Sequence, residues 1–131
     1  MIGESMRTHL LSDAGVIAIS TRIYPHHLPQ NVTFPAVTYN IDGDEREEVF
    51  GGASSLKTVL VTIDSWGMTY TEVWDLADAI EDALVGSSGD FGTLSPPDVV
   101  DHVRMERGSF DLFETDTKLY RVSQQFLIAY Y

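Results

Sequence analysis

Along this chain the apolar positions change period several times, and each change marks an element. Ile2, Met6 and Leu10 fall at i, i+4 and i+8 with Leu11 beside them, the spacing of one helical stripe, which predicts a short amphipathic helix ended near Gly15. Val16 to Ile19 lead into an extended piece, Thr21-Arg22-Ile23-Tyr24-Pro25, whose proline restricts Tyr24 to β or polyproline geometry. A loop is expected over residues 25–35. The period then becomes two. Val37, Tyr39 and Ile41 share one face of Ala36-Val37-Thr38-Tyr39-Asn40-Ile41, and Val59, Val61 and Ile63 share one face of a second β-branched run over residues 57–64. The polar, charged, glycine-containing residues 42–55 between these strands read as an exposed loop joining an antiparallel pair.

Gly67 breaks the second strand, and Thr69-Tyr70-Thr71-Glu72 has capping-box spacing, so a helix is expected from there. Tyr70, Val73, Trp74, Ala77, Ile80 and Leu84 form its apolar stripe, Glu72, Asp75, Asp78, Glu81 and Asp82 its outer face, and Gly86 suits the residue after its end. Serine, glycine and adjacent prolines mark residues 87–97 as a second loop. Two further strands follow. The first carries Val99, Val103 and Met105, interrupted by Asp101; the second carries Tyr120, Val122, Phe126, Ile128 and Tyr130, interrupted by Gln124. The predicted order is α-β-β-β-α-β-β, an α+β domain in which a mostly antiparallel sheet has two helices packed on one face.

With 131 residues the chain suits one domain over 1–131. Eight basic against 20 acidic residues give a net charge of −12, which repels naked DNA and anionic membranes over much of the exterior. There is no cysteine, so disulfides and thiolate metal sites are excluded. Met1 to Arg7 lack a basic region followed by an apolar run, and the chain is expected to be made in the cytoplasm, with no membrane contact.

Candidate chemistry is sparse. Adjacent His26 and His27 point to opposite faces of an extended segment and make a poor metal pair. Residues 42–46 resemble a calcium loop only briefly, because Arg46 occupies a ligand position and the glycine is misplaced. No nucleophile elbow, phosphate-binding glycine loop or H-E-x-x-H motif occurs. The carboxylates along the central helix read as a solvated face, and Trp66, Tyr70 and Trp74 read as core packing before a ligand-stacking wall. No enzyme activity, catalytic residue, metal or cofactor is predicted.

The ordered set Arg22-Ile23-Tyr24-Pro25, Leu28-Pro29-Gln30-Asn31 and Phe34-Pro35-Ala36-Val37-Thr38-Tyr39 resembles the tail-terminator proteins of long-tailed bacteriophages. So does a mid-chain strand running into a helix that ends in Ala83-Leu84, with a closing β-hairpin. The resemblance implies a structural virion protein without catalytic residues. It would form a homo-oligomeric ring, about six-fold, at the head–tail junction, where it caps the tail tube, stops its polymerisation and docks the head connector. On that reading the sheet's polar face lines the bore with Thr62, Asp64, Ser123 and Gln125, and double-stranded DNA passes without specific binding. The acidic stretch supplies tube- or connector-contacting residues: Asp42, Asp44, Glu45, Arg46, Glu47, Glu48 and Phe50. Two alternatives are another head–tail connector component and an acidic DNA mimic that inhibits a nucleic-acid-binding enzyme, although the eight basic residues scattered through the chain weaken the mimic.

Overall fold

The computed structural model describes residues 1–49, 52–93 and 95–131, the side chains of 47–49 and 52–54 excepted. In chain order the elements are α1 (Ile2–Leu11), α2 (Ala14–Ile17), β1 (Ile23–Pro25), β2 (Ala36–Val49), β3 (Gly52–Gly67), α3 (Tyr70–Leu84), β4 (Gly89–Phe91), β5 (Asp98–Glu114) and β6 (Leu119–Tyr130). The strands make one sheet in the order β1-β2-β3-β6-β5-β4, curled into a half-barrel. The short β1 pairs parallel to β2, while the β2–β3, β3–β6, β6–β5 and β5–β4 pairings are antiparallel.

The core lies between one sheet face and the helices. Val59, Val61 and Ile63 of β3 and Phe126 and Ile128 of β6 point into it as their alternation requires. Against them pack Ile2, Met6 and Leu10 of α1, Val16 of α2, and Leu76, Ile80 and Leu84 of α3. Each fully buried side chain of this size contributes about 2 kcal/mol relative to exposure. Thr69 caps α3, accepting from the Glu72 N–H at 3.3 Å. After the helix, Gly86 at φ 81° takes the left-handed conformation that a side chain resists, and its N–H donates to the Val103 carbonyl of β5.

Several expectations need correction. The described residues hold three helices, and the order is α-α-β-β-β-α-β-β-β. The first helix stops at Leu11, and Gly15 sits inside a separate turn of helix that Asp13 caps through the Val16 N–H at 3.0 Å. In α3 the buried stripe includes Leu76 and Ala83, whereas Tyr70 is half exposed. The expected loop over residues 42–55 is largely a continuation of β2 and β3, with Asp44 opposite Val59, Glu45 opposite Thr58 and Arg46 opposite Lys57. Asp, Glu and Gly disfavour strands on their own, but here the ladder is extended from a well-packed base. The second expected loop contains β4, anchored by fully buried Phe91, whose ring stacks on His9 at 3.9 Å. In β5 a bulge at Asp101 separates Val100, opposite Tyr130, from His102, opposite Ala129. The extra residue moves burial from Val99, which is exposed, to Val100 and Val103.

The residues that carry the family resemblance form β1, the following loop and the start of β2. Arg22 organises them: its Nε donates to the carbonyls of Thr33 at 2.7 Å and Pro35 at 3.2 Å, tying the far end of the loop back to its start.

Candidate functional site

On the face of the sheet turned away from the helices, period-two alternation aligns a set of polar side chains. Thr62 of β3 pairs with Gln125 of β6, and Asp64 pairs with Ser123 one row further on. The four residues expected to share a face therefore lie together at the centre of this outer face. A bulge in β2 brings Asp42 into the same group, because Ile41 faces Val61 and Gly43 faces Leu60, leaving Asp42 as the extra residue. Its carboxylate accepts from Asn40 Nδ2 at 2.6 Å, Thr62 Oγ1 at 2.5 Å and Gln125 Nε2 at 3.0 Å. Three strands are thus cross-linked by one carboxylate.

Asp64 lies deeper. Burial raises its carboxyl pKa above the ordinary value, with the Ser123 hydroxyl and the Arg121 and Arg107 guanidiniums opposing that shift and Asp42 adding to it. Arg121 lies over the Trp66 ring at 5.1 Å, and Trp66 Nε1 donates to Thr38 Oγ1 at 2.9 Å. Arg107 donates to Ser123 Oγ at 3.3 Å and covers Phe110. The outer face therefore sets the carboxylates of Asp42 and Asp64 at its centre, with Arg121 of β6 and Arg107 of β5 beside them.

The acidic stretch divides between the two faces. Asp42 and Glu45 belong to the outer face, where Glu45 borders a shallow hollow of about 130 Å³ lined also by Gly43, Thr58, Leu60 and Leu127. Asp44 lies on the helix side, where its carboxylate accepts from the Tyr130 hydroxyl at 2.8 and 3.0 Å. Burial, and then this hydrogen bond, raise the Tyr130 pKa. Arg46 shares the helix side with its partner Lys57, whose ammonium lies 5.7 Å from the Tyr130 ring. The side chains of Glu47 and Glu48, and the whole of Phe50, lie outside the described residues.

The three aromatics read as core packing do not share a core: Trp74 packs against Val73, Ala77 and Val122, Trp66 is partly buried and Tyr70 is half exposed. Trp66 is on the outer face, while Tyr70 and Trp74 lie on the helix side at the end of the β5–β6 hairpin. There the Tyr70 hydroxyl and the Trp74 indole N–H both donate to Asp111 Oδ2, at 2.7 and 3.2 Å. Tyr120 meets Tyr70 edge-on at 5.7 Å, and Phe113 leans on Tyr120 at 4.9 Å. Tyr70 and Phe113 remain exposed, which leaves part of this aromatic cluster on the surface. Sequence reasoning missed it because Asp111 joins the aromatics only through long-range packing. The i, i+4 spacing of Tyr70 and Trp74 was the available signal.

Among the described residues, no group of three or more His, Cys, Asp or Glu side chains is placed to hold a metal ion, and no helix is long and apolar enough to cross a membrane. His9 packs against Phe91 and places Nε2 3.1 Å from the Ala83 carbonyl, and His102 Nδ1 lies 2.8 Å from Asp101.

No curated protein matches the chain. Among solved structures, a chain from the virion of a native gene transfer agent particle superposes with a TM-score of 0.71 at 16% identity, covering 95% of this chain and 90% of that one. A likeness at that identity speaks for the fold. The family model described as tail completion protein gp17 matches residues 4–131. The chain accordingly belongs to the tail completion protein gp17 family and is a structural protein of phage tails.

Proposed function

We propose that this protein closes the head-proximal end of the tail tube as a ring of about six copies, ends tube polymerisation there and offers the opposite rim to the head connector. The observation that carries the reading is the outer face, whose centre, Thr62, Asp64, Ser123 and Gln125, is polar, with Arg107 on Ser123 and Arg121 near Asp64 balanced by the Asp42 and Asp64 carboxylates. Turned toward the bore, such a surface lets double-stranded DNA slide past without the phosphate contacts that would hold it. The β2–β3 hairpin, which extends beyond the packed core, supplies axial contacts to tube or connector through Asp42, Asp44, Glu45 and Arg46. Glu47, Glu48 and Phe50 remain part of this proposal. The protein would be made in the host cytoplasm and carried in the virion at the head–tail junction.

The test is to mix the purified protein with purified tail tubes and examine negatively stained particles. Rings at one end of each tube, and tubes that no longer elongate, are expected. Tails that reach normal length in particles lacking the protein would overturn the reading. A stable monomer that ignores tubes and displaces DNA from an enzyme would favour mimicry instead.

A further inference from the structure

The sheet has two edges that its own strands leave incomplete. On one side, β1 covers β2 only from Val37 to Tyr39, so among the described residues no strand lies along the outer edge of β2 from Asn40 to Arg46. On the other, β4 covers β5 only from Asp98 to Val100, and the Val103 carbonyl is taken by Gly86, so among the described residues no strand covers the edge of β5 from Arg104 onward. Open edges of this length pair with other chains unless something blocks them, and the bulges here, at Ile41/Gly43 in β2 and at Met105/Arg107 and Arg107/Phe110 in β5, restrict the partner to one that matches them.

The outer-face charges differ between these edges. The β2 edge carries Asp42 and Glu45, and the β5 edge carries Arg104 and Arg107, with Glu106 at the bulge between them 3.1 Å from Arg104, leaving the β5 edge net positive. The register puts the two sets within two residues of one height. Arg107 aligns through Gln125 and Thr62 with Asn40, beside Asp42; Arg104 aligns through Leu127 and Leu60 with Gly43, two residues from Glu45. On the helix side Met105 aligns through Phe126 and Val61 with Ile41, and Ile41 lines an apolar hollow of about 280 Å³ together with Met1, Gly3, Pro25 and Tyr39. β2 runs opposite to β5, so copies in one common orientation would meet in antiparallel register.

We infer that the occupant of each edge is a second copy of this chain: the β5 edge from Arg104 pairs antiparallel with the β2 edge of the next protomer, Arg104 and Arg107 lying diagonal to Glu45 and Asp42. The contact is head-to-tail, so it closes a ring when the rotation per copy allows. It deepens the ring reading above and rests on it. The sheet would continue from copy to copy, joining the outer faces into one wall. Strand pairing supplies affinity, and the opposed charges select this alignment over its reverse.

Two exposed residues test the joint. Glu45→Lys alone, or Arg104→Glu alone, sets like charges against each other at every joint and should lower the share of capped tubes at least about tenfold. Mixing the two variants restores opposite charges only in alternating rings, so equimolar mixtures should recover capping with one-to-one composition, and a chain carrying both reversals should recover it alone. As a check independent of charge, a chain with Glu45→Cys and His102→Cys, the two positions the register sets level, is oxidised in the presence of tubes. The wild type has no cysteine, and the two sites lie three strand spacings apart within one protomer, about 14 Å, too far for an internal bridge. A ladder of covalent oligomers ending at ring size is expected. Single variants that cap as well as wild type, a mixture as inactive as its components, or only monomers after oxidation would overturn the joint while leaving the ring reading intact. Wild-type protein that forms no ring on tubes would remove both.

Discussion

Gly67 tests how tightly the end of β3 is packed under the first turn of α3. A methyl group at this position would lie 2.8 Å from Val73 Cγ1 and 3.3 Å from Glu72 Cδ. Glu72 can swing aside, but Val73 is fully buried, so its methyl has nowhere to retreat. Gly67 is not among the positive-φ glycines, so the conflict in Gly67→Ala is steric and involves no dihedral strain. Overpacking of this kind costs about 1–3 kcal/mol, and the reduced freedom of the unfolded chain returns about 0.4–1 kcal/mol. The net expectation is a loss of about 1.5 kcal/mol, or about 5 °C in Tm for a domain of this size. Val73→Ala alone removes two methyl-sized groups and leaves a cavity, costing about 2 kcal/mol. In the double variant the methyl introduced by Gly67→Ala fills that space, so the combined cost should be about 2 kcal/mol rather than the additive 3.5 or so, a coupling of about 1.5 kcal/mol. Guanidinium unfolding of all four proteins gives the cycle, with equal m values confirming that the denatured state is unchanged. A Gly67→Ala protein as stable as wild type, or additive losses in the double variant, would refute the packing argument.

Thr69→Ala removes the α3 cap and should cost about 1 kcal/mol in the same assay, while Thr69→Ser stays within a few tenths. Asp64 has its pKa raised by burial, so the folded protein holds that proton more tightly and this group's contribution to stability falls as pH rises through the folded pKa. Asp64→Asn should therefore raise Tm at pH 7, with the advantage shrinking as the pH drops toward the ordinary carboxylate range; a gain that grows on acidification would contradict this sign. Gln124 is fully buried and its Nε2 donates to the Ala77 carbonyl and the Ser109 hydroxyl, both at 3.0 Å. Gln124→Glu replaces those donors with a buried carboxyl and should cost about 3 kcal/mol at neutral pH, partly recovered in acid, as Tm against pH would show.

The elements with clean periodicity were legible. Val59, Val61 and Ile63 announce β3, and Thr69 with Glu72 announces the start of α3, because burial on one side and a local cap both leave marks within a few residues. The extended hairpin was illegible for the opposite reason. Residues 42–46 are wet on both sides and carry no alternation, so their pairing shows only in the register they inherit from Ile41 and Val61. The interruptions in the strand patterns had structural meaning. Asp101 breaks its stripe because it is a bulge residue, and Gln124 because it reaches from the sheet to the carbonyl of Ala77 in α3. Thr62, Asp64, Ser123 and Gln125 could be grouped from alternation alone. That Asp42 would bind two of them, and that Asp111 would gather Tyr70 and Trp74, depends on strands brought together by the fold.

The supernumerary residue at Asp42 has a genetic consequence. Upstream of it even-numbered positions of β2 look outward, and downstream odd-numbered ones do, so Asp42 acts as a phase reset in the arm. Losing or gaining a single codon beyond it would turn Glu45 inward and Asp44 outward, inverting the arm's chemistry while its ladder survived. Length drift in this hairpin should therefore be accepted two residues per strand at a time, and single-codon changes only where the phase is already broken.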